Sequence, residues 1–410
     1  MKKVHDVRSE KRLLKDLNEH ERVDDRQALA RDCFELGFLF RQRGELEQSE
    51  MMYRRSLVLN EALKERGKVG EAYIQLGLLF EIRGDTGQAG FYLEEALEIF
   101  SLQKDTSRIA EAYGYIGFIH QLEGNFEKAG DFYDRALALH EELGDRDSEA
   151  EVWGNLGSLY LEKGQEEEAE AAHERALGLY EGLKNKRGMG GQRRNLGMLW
   201  LKKGDLEKAH DQLEQSLVLY KECGHILGTG LVFDSLGQIS QREGHLKRAE
   251  SMYIESLELF SRAGHRPHMA LEYSRLGTLY ALKHDYESAC TELELALDMF
   301  EEMDNRAEIA RVCAKLGDVY LSLACEEEEK IIGMYQRALG VFQELGNEPG
   351  KGRIYAGLGN MAARRGDTHQ AIAMWTMASK LLRKTGNREQ AEKVETALRK
   401  MWTRGKVRVA

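Results

Sequence analysis

The chain has 410 residues, a net charge of −11 at pH 7, 31% charged residues and only two prolines, Pro267 and Pro349. The acidic balance excludes a general nucleic-acid binder, and so little proline beside so much charge favours helix over strand. No stretch approaches the ~20 apolar residues of a membrane span, and five cysteines without a C-x-x-C pair point to reduced thiols and a cytoplasmic protein.

Residues 1–26 read as a charged helix that caps the first repeat; the start from Met1 to Leu14 has no apolar stretch and is unlike a secretory signal. From residue 27 onward the sequence repeats. A Leu-Gly pair recurs at Leu36-Gly37, Leu76-Gly77, Leu156-Gly157, Leu196-Gly197, Leu236-Gly237, Leu276-Gly277 and Leu316-Gly317, with Ile116-Gly117 filling the gap. The period is 40 residues, and the ninth pair, Leu358-Gly359, comes two residues late. Seven residues after most pairs stands a second glycine, as at Gly44, Gly84 and Gly204. A small residue follows five later, as at Ala129 and Ala209. Nine units therefore fill 27–388.

Each unit reads as two antiparallel helices. Trp153, Leu156, Gly157 and Tyr160 lie on one helical face, and Ala169, Ala172, Ala176, Leu177 and Tyr180 keep helical spacing in the next segment. A glycine inside a helix costs roughly 1 kcal/mol relative to alanine. The Leu-Gly glycine is thus expected where a partner helix crosses too near for a Cβ. The second glycine is expected at positive φ, closing the first helix. In unit eight Ala324 replaces that glycine, two residues are inserted and the acidic run Glu326–Glu329 comes next, which predicts a longer connection. Residues 389–410 read as a final capping helix and a basic tail.

The stretch Trp153 to Tyr160 follows W-x2-L-G-x2-Y, and Ala129 with Tyr133 and Ala249 with Tyr253 follow A-x3-aromatic. With these motifs the sequence resembles the tetratricopeptide repeat family over 27–388. The family period is usually ~34 residues and ends in proline. The longer, proline-free unit is similar to Pins-type adaptors, kinesin light chains and MalT-like sensor arrays. The resemblance implies an all-α, right-handed superhelical solenoid of nine helix-turn-helix repeats with capping helices. It also implies a concave face, lined by first helices, that holds a ligand segment.

Positions beside the Leu-Gly anchor and near the end of each first helix are the candidates for that face. Early units place Phe34, Phe38, Ile74, Leu78, Tyr115 and Phe118 there. The middle units place Asn155, Arg194, Asn195 and Lys202, and the later ones Gln238, Arg242, Arg275, Arg311, Lys315, Arg353 and Asn360. The face thus reads as apolar early and basic late. A protein or peptide partner with an apolar part and an acidic part would fit. The resemblance adds a role for Asn155 and Asn195, since tetratricopeptide grooves use Asn to bond a ligand backbone; a side-chain amide offers both a donor and an acceptor.

Catalysis is not expected. Gly188-Met189-Gly190-Gly191 lacks a phosphate-loop pattern. His225 and His265, which share a repeat position, and His268 read as exposed turn histidines rather than metal ligands. Cys290 reads as a buried, inert thiol. The expected protein is a non-catalytic interaction scaffold without metal or cofactor, bound to neither nucleic acid nor membrane. A ligand-responsive sensor array controlling a separate effector, or a self-assembling scaffold, are the alternatives.

Overall fold

The computed structural model describes residues 2–323 and 328–407, with side chains placed for 10–323 and 328–401. The replaced turn glycine Ala324, Cys325 and the start of the acidic run lie outside the described residues, as do 408–410 and the side chains of the tail beyond Met401. The described residues form twenty helices and no strand.

A polar helix α1 (Lys2–Arg22) comes first. Helix pairs succeed it: α2 (Arg26–Arg43) with α3 (Leu46–Ala62), α4 (Arg66–Ile82) with α5 (Thr86–Gln103), and α6 (Thr106–Leu122) with α7 (Phe126–Leu143). Next are α8 (Arg146–Glu162) with α9 (Glu166–Gly182), α10 (Lys186–Lys203) with α11 (Leu206–Glu222), and α12 (Ile226–Arg242) with α13 (Leu246–Ala263). The remainder are α14 (Arg266–Leu282), α15 (Tyr286–Glu302), α16 (Arg306–Ser322), α17 (Glu328–Glu344), α18 (Glu348–Arg365), α19 (Thr368–Lys384) and α20 (Arg388–Val407). Contacts divide the chain into two compact units, Met1–Met269 and Ala270–Ala410.

Amphipathic spacing explains why these segments are helices and which side they bury. In α8, Val152, Leu156 and Leu159 are buried, and in α7 Ala129, Tyr133 and Ala136 meet them to form one core cluster. The ends are covered in the same way. Leu17 of α1 packs with Leu29, Cys33 and Leu36 of α2, and Ala391 and Val394 of α20 pack with Trp375 and Leu382 of α19. Ion pairs Arg43–Glu10 at 2.6 Å and Arg55–Glu21 at 2.5 Å hold α1 to the first helix pair.

The Leu-Gly glycine stands where expected. A Cβ at Gly117 would lie 2.9 Å from the Tyr133 ring of α7, and that ring is fully buried. The turn glycine is also at positive φ: Gly84 has φ 78°. Its N–H donates to Glu81 O at 2.8 Å, and the next N–H, of Asp85, reaches back to Phe80 O at 2.9 Å. These two bonds close the helix. Asp85 then starts the next helix, its side chain accepting from Gln88 N at 3.0 Å.

Wherever both turns of a repeat are described, this left-handed residue followed by a cap position recurs twice rather than once. The second site in each repeat is filled by Lys64, Lys104, Gly144, Lys184, Gly224, Gly264, Asp304, Gly346 and Gly386, all at positive φ. One cap offers a controlled test. Asp205 accepts from Lys208 N at 3.1 Å, whereas Asn125 at the matching place makes no side-chain cap bond. Asp205→Ala is therefore expected to cost about 1 kcal/mol and to speed amide exchange at the start of α11. Asn125→Ala is expected to leave the denaturation midpoint nearly where it was. Equal losses at both sites would remove the cap from the account of the turn.

Candidate functional site

First helices touch the first helices of neighbouring pairs, α2 with α4, α6 with α8, α8 with α10, α10 with α12 and α16 with α18. Their shared side is a continuous surface within each unit, with one residue per repeat at each position.

In the first unit this side is less apolar than the sequence reading has it. Ile74 is a correction: at 4% exposure it belongs to the core with Leu76, Leu79 and Leu93. Phe34, Leu78 and Tyr115 are half-buried against that core, and Phe118 against the next one. Phe34 stacks edge-on with Tyr53 and borders a cavity of about 410 Å³ with Ser56, Asn60, Lys68 and Glu71. Only Phe38 among the six is an exposed ring, at 41%, and Arg41 lies over it.

Two acids missed in the sequence occupy the same face. Glu111 of α6 and Glu151 of α8 are exposed, yet surrounding protein raises both carboxyls above the usual range. Burial is the leading cause for each; Glu71 and Asp105 add to it for Glu111, and Asp147 and Glu111 for Glu151. A side chain that reaches solvent and is still desolvated stands inside a hollow rather than on a ridge. Tyr115 donates to Glu111 at 3.3 Å. The signal for these acids was available: Glu71, Glu111 and Glu151 are spaced by the 40-residue period.

The polar candidates divide. Asn155 is half-buried, and its amide makes no hydrogen bond to any described residue, so both its donor and its acceptor are open to a ligand. Asn195 accepts from Arg194 at 3.2 Å, and Gln238 donates to Asp234 at 3.2 Å. Lys202 and Arg242 have a structural engagement that the basic-stripe reading did not foresee. Lys202 Nζ donates to Leu161 O, and Arg242 Nη1 to Leu201 O at 2.7 Å. Each cation reaches back to the last turn of the preceding first helix, where the helix dipole concentrates negative charge. Arg364 does the same to Leu321 O in the second unit.

In the second unit the basic candidates do come together. Lys315 of α16 is half-buried, and its Nζ donates to Ser274 Oγ at 2.7 Å. Arg353 pairs with Asp318 at 2.7 Å, Arg275 lies 3.8 Å from Glu272, and Arg311 pairs with Glu308. Tyr335 also donates to Asp318, at 2.8 Å, which fixes the carboxylate that holds Arg353. Burial pushes the Lys315 ammonium down to about 8; Arg353, Arg275 and Arg311 push the same way, and Glu308 opposes them. Asn360 stands apart, accepting from the Trp375 indole at 3.1 Å.

The histidines are half-buried rather than exposed: His225 and His265 stand just before α12 and α14, and His268 lies in the first turn of α14. His225 Nδ1 accepts from Gly228 N at 3.0 Å, and His265 and His268 lie with their Nδ1 atoms 2.8 Å apart. Among the described residues no group of three or more His, Cys, Asp or Glu could hold a metal ion. Cys290 is half-buried, not buried; the buried thiols are Cys33 and Cys313, both raised to about 11 by burial. No described helix is long and apolar enough to cross a membrane.

A sequence model described as tetratricopeptide repeat matches residues 28–101 and 108–182. No curated protein matches the sequence. Among solved structures, a Rap protein complexed with competence and sporulation factor is 13% identical, covering 96% of this chain and 98% of that one with a TM-score of 0.55. The Rap conjugation gene regulator of plasmid pLS20, in complex with the Phr* peptide, is 14% identical over 70% of this chain and 77% of that one, with a TM-score of 0.55. A signal transduction ATPase with a tetratricopeptide repeat sensor from Pyrococcus horikoshii is 18% identical over 84% of this chain, which spans 55% of that protein, with a TM-score of 0.53. At these identities the likeness is one of fold. The repeat motifs, the paired helices and the crossing glycines agree with the family match: residues 28–101 and 108–182 are tetratricopeptide repeats, and the same helix pairs and crossing glycines continue beyond them.

Proposed function

We propose that this protein is a non-catalytic scaffold that holds a peptide or protein segment against the first-helix faces of its repeats. It works in the cytoplasm without cofactor or metal. The observation that carries this reading is the meeting of Arg275, Arg311, Lys315 and Arg353 from three successive first helices around one half-buried amine. Holding several cations together costs Coulomb energy, and an acidic segment of a partner would relieve it. In the first unit Asn155 offers an unused amide to a ligand backbone, one helical turn from Glu151, whose neighbour across the face is Glu111.

Hexaglutamate is a direct probe of the acidic requirement. Calorimetric titration is expected to show binding that weakens as salt rises, because part of the attraction is ionic. The pair Arg275→Glu with Lys315→Glu is expected to abolish it while the helical circular dichroism stays the same. Unchanged affinity in that pair would end the basic-groove reading.

A sensor reading has its own support in the length-wide likeness to a Rap protein solved with competence and sporulation factor. In that reading the segment is a short signal and its capture changes contacts with an effector. A ligand-induced change in radius of gyration by small-angle scattering favours the sensor; an unchanged value favours the adaptor.

A further inference from the structure

The cationic cluster of the second unit has a chemistry that a carboxylate does not use fully. Three of its cations stand beside carboxylates: Arg275 by Glu272, Arg311 by Glu308 and Arg353 by Asp318. Lys315 has none; its ammonium rests on the Ser274 hydroxyl at 2.7 Å and the Ser274 carbonyl at 3.4 Å. Lys315 is thus the one of these four cations with no carboxylate within ion-pair distance among the described residues. The Arg311 side chain remains 55% exposed and that of Arg353 42%. The guanidinium groups of Arg311 and Arg353 each have five N–H donors, and one carboxylate cannot occupy them all.

The donors therefore arrive from three helices around an ammonium that has no carboxylate of its own. A ligand that answers this must accept from several directions and carry more than one negative charge. A carboxylate is planar, has two oxygens and bears a single charge. A phosphoryl group is tetrahedral, offers three acceptor oxygens and carries about −1.5 to −2 at neutral pH. Guanidinium forks and a lysine point charge are the ordinary donors to such a group.

We propose that Arg275, Arg311, Lys315 and Arg353 form a phosphoryl-binding site, occupied by a phosphorylated side chain of the segment held on this face. The proposal rests on the scaffold reading and sharpens it: the acidic feature of the partner is a phosphate, so partner capture is gated by phosphorylation. Ser274 and Asp318 are then positioning residues. Ser274 aims the Lys315 amine, and Asp318, itself held by Tyr335, fixes Arg353.

The test uses the full chain and one acidic peptide sequence made in three forms, with serine, glutamate or phosphoserine at its centre. Fluorescence anisotropy is expected to show the phosphoserine form binding at least about tenfold tighter than the glutamate form, the scale of one added charge-assisted hydrogen bond. Lys315→Met and Arg311→Gln are expected to remove that preference, and Lys315→Arg to keep it. Arg311 is solvent-exposed, so its substitution reports on binding rather than folding. Equal affinity for phosphoserine and glutamate overturns the phosphoryl site and leaves the scaffold reading standing. No binding of any form, together with no hexaglutamate binding, overturns both. Inorganic phosphate that binds as tightly as the phosphopeptide overturns the side-chain source and assigns the site to a free phosphate.

Discussion

Gly117→Ala should destabilise the first unit, and Gly114→Ala, three residues earlier in the same helix, should stabilise it. Alanine gains about 1 kcal/mol over glycine in a helix interior when nothing else changes. At Gly114 nothing lies within 4 Å of the added Cβ, so much of that gain is expected to appear. At Gly117 the same methyl would sit 2.9 Å from the Tyr133 ring and 3.3 Å from the Ala129 carbonyl. The ring has nowhere to retreat: it is fully buried, and its hydroxyl donates to Gln121 at 2.9 Å. Overpacking of this kind costs about 1–3 kcal/mol, which exceeds the propensity gain, so α6 and α7 must move apart. Tyr133→Ala alone is expected to cost about 3–5 kcal/mol through the cavity it leaves. Adding Gly117→Ala to it should cost little more, because the methyl then enters empty space. Urea midpoints of the four variants measure this cycle. Both glycine substitutions shifting stability in the same direction would refute the close-crossing account.

The fold was legible because the two demands on the chain both fall on glycine. A crossing without room for a Cβ and a backbone at positive φ each leave a mark at a fixed place in every repeat. What stayed hidden was the second turn of each repeat, and the reason is chemical. It needs the same left-handed residue, but glycine fills only five of its nine places; Lys64, Lys104, Lys184 and Asp304 take the other four, and a lone lysine among many gives no signal. The caps fill the gap in retrospect: Asp105, Asp145, Asn185 and Asn305 come directly after these sites and accept from the third residue of the next helix. A scan for a polar cap at half the period would have found the turn of 20 residues.

The candidate site was legible in part, since spacing along a helix says which side a residue is on and not what meets it there. Ile74 shares a repeat position with Phe34 and Gly114, yet only Ile74 is fully buried, because neighbours from α4 and α5 close over it. Lys202 and Arg242 looked like ligand contacts and instead bond the preceding helix end. Their regular place two residues before Gly204 and Gly244 was the clue that they serve the repeat. Lys315 escaped that pattern. It lies mid-helix, beside the Leu316-Gly317 anchor, and so its charge is offered to the face rather than to a helix terminus.

That placement gives the second large effect, a dependence of acidic-ligand binding on pH near 8. Lys315 titrates at about 8 rather than at the ordinary 10.5. Hexaglutamate is fully ionised above pH 7, so its own charge does not vary there. A bound anion favours the ammonium over the amine, and binding above pH 8 must therefore take up a proton. Affinity should be full below pH 8 and fall as pH rises through it, by roughly tenfold between pH 7 and pH 9 for one linked proton. Fold stability has the opposite sign. The folded chain binds fewer protons at Lys315 than the unfolded chain between about 8 and 10.5, so this residue's contribution to stability rises with pH across that window and is lost as pH falls through about 8. Lys315→Arg separates the effect from every other group, because a guanidinium stays charged throughout. The arginine variant should bind hexaglutamate with a flat profile from pH 7 to pH 9. A flat profile in the unaltered chain would place Lys315 outside the binding surface.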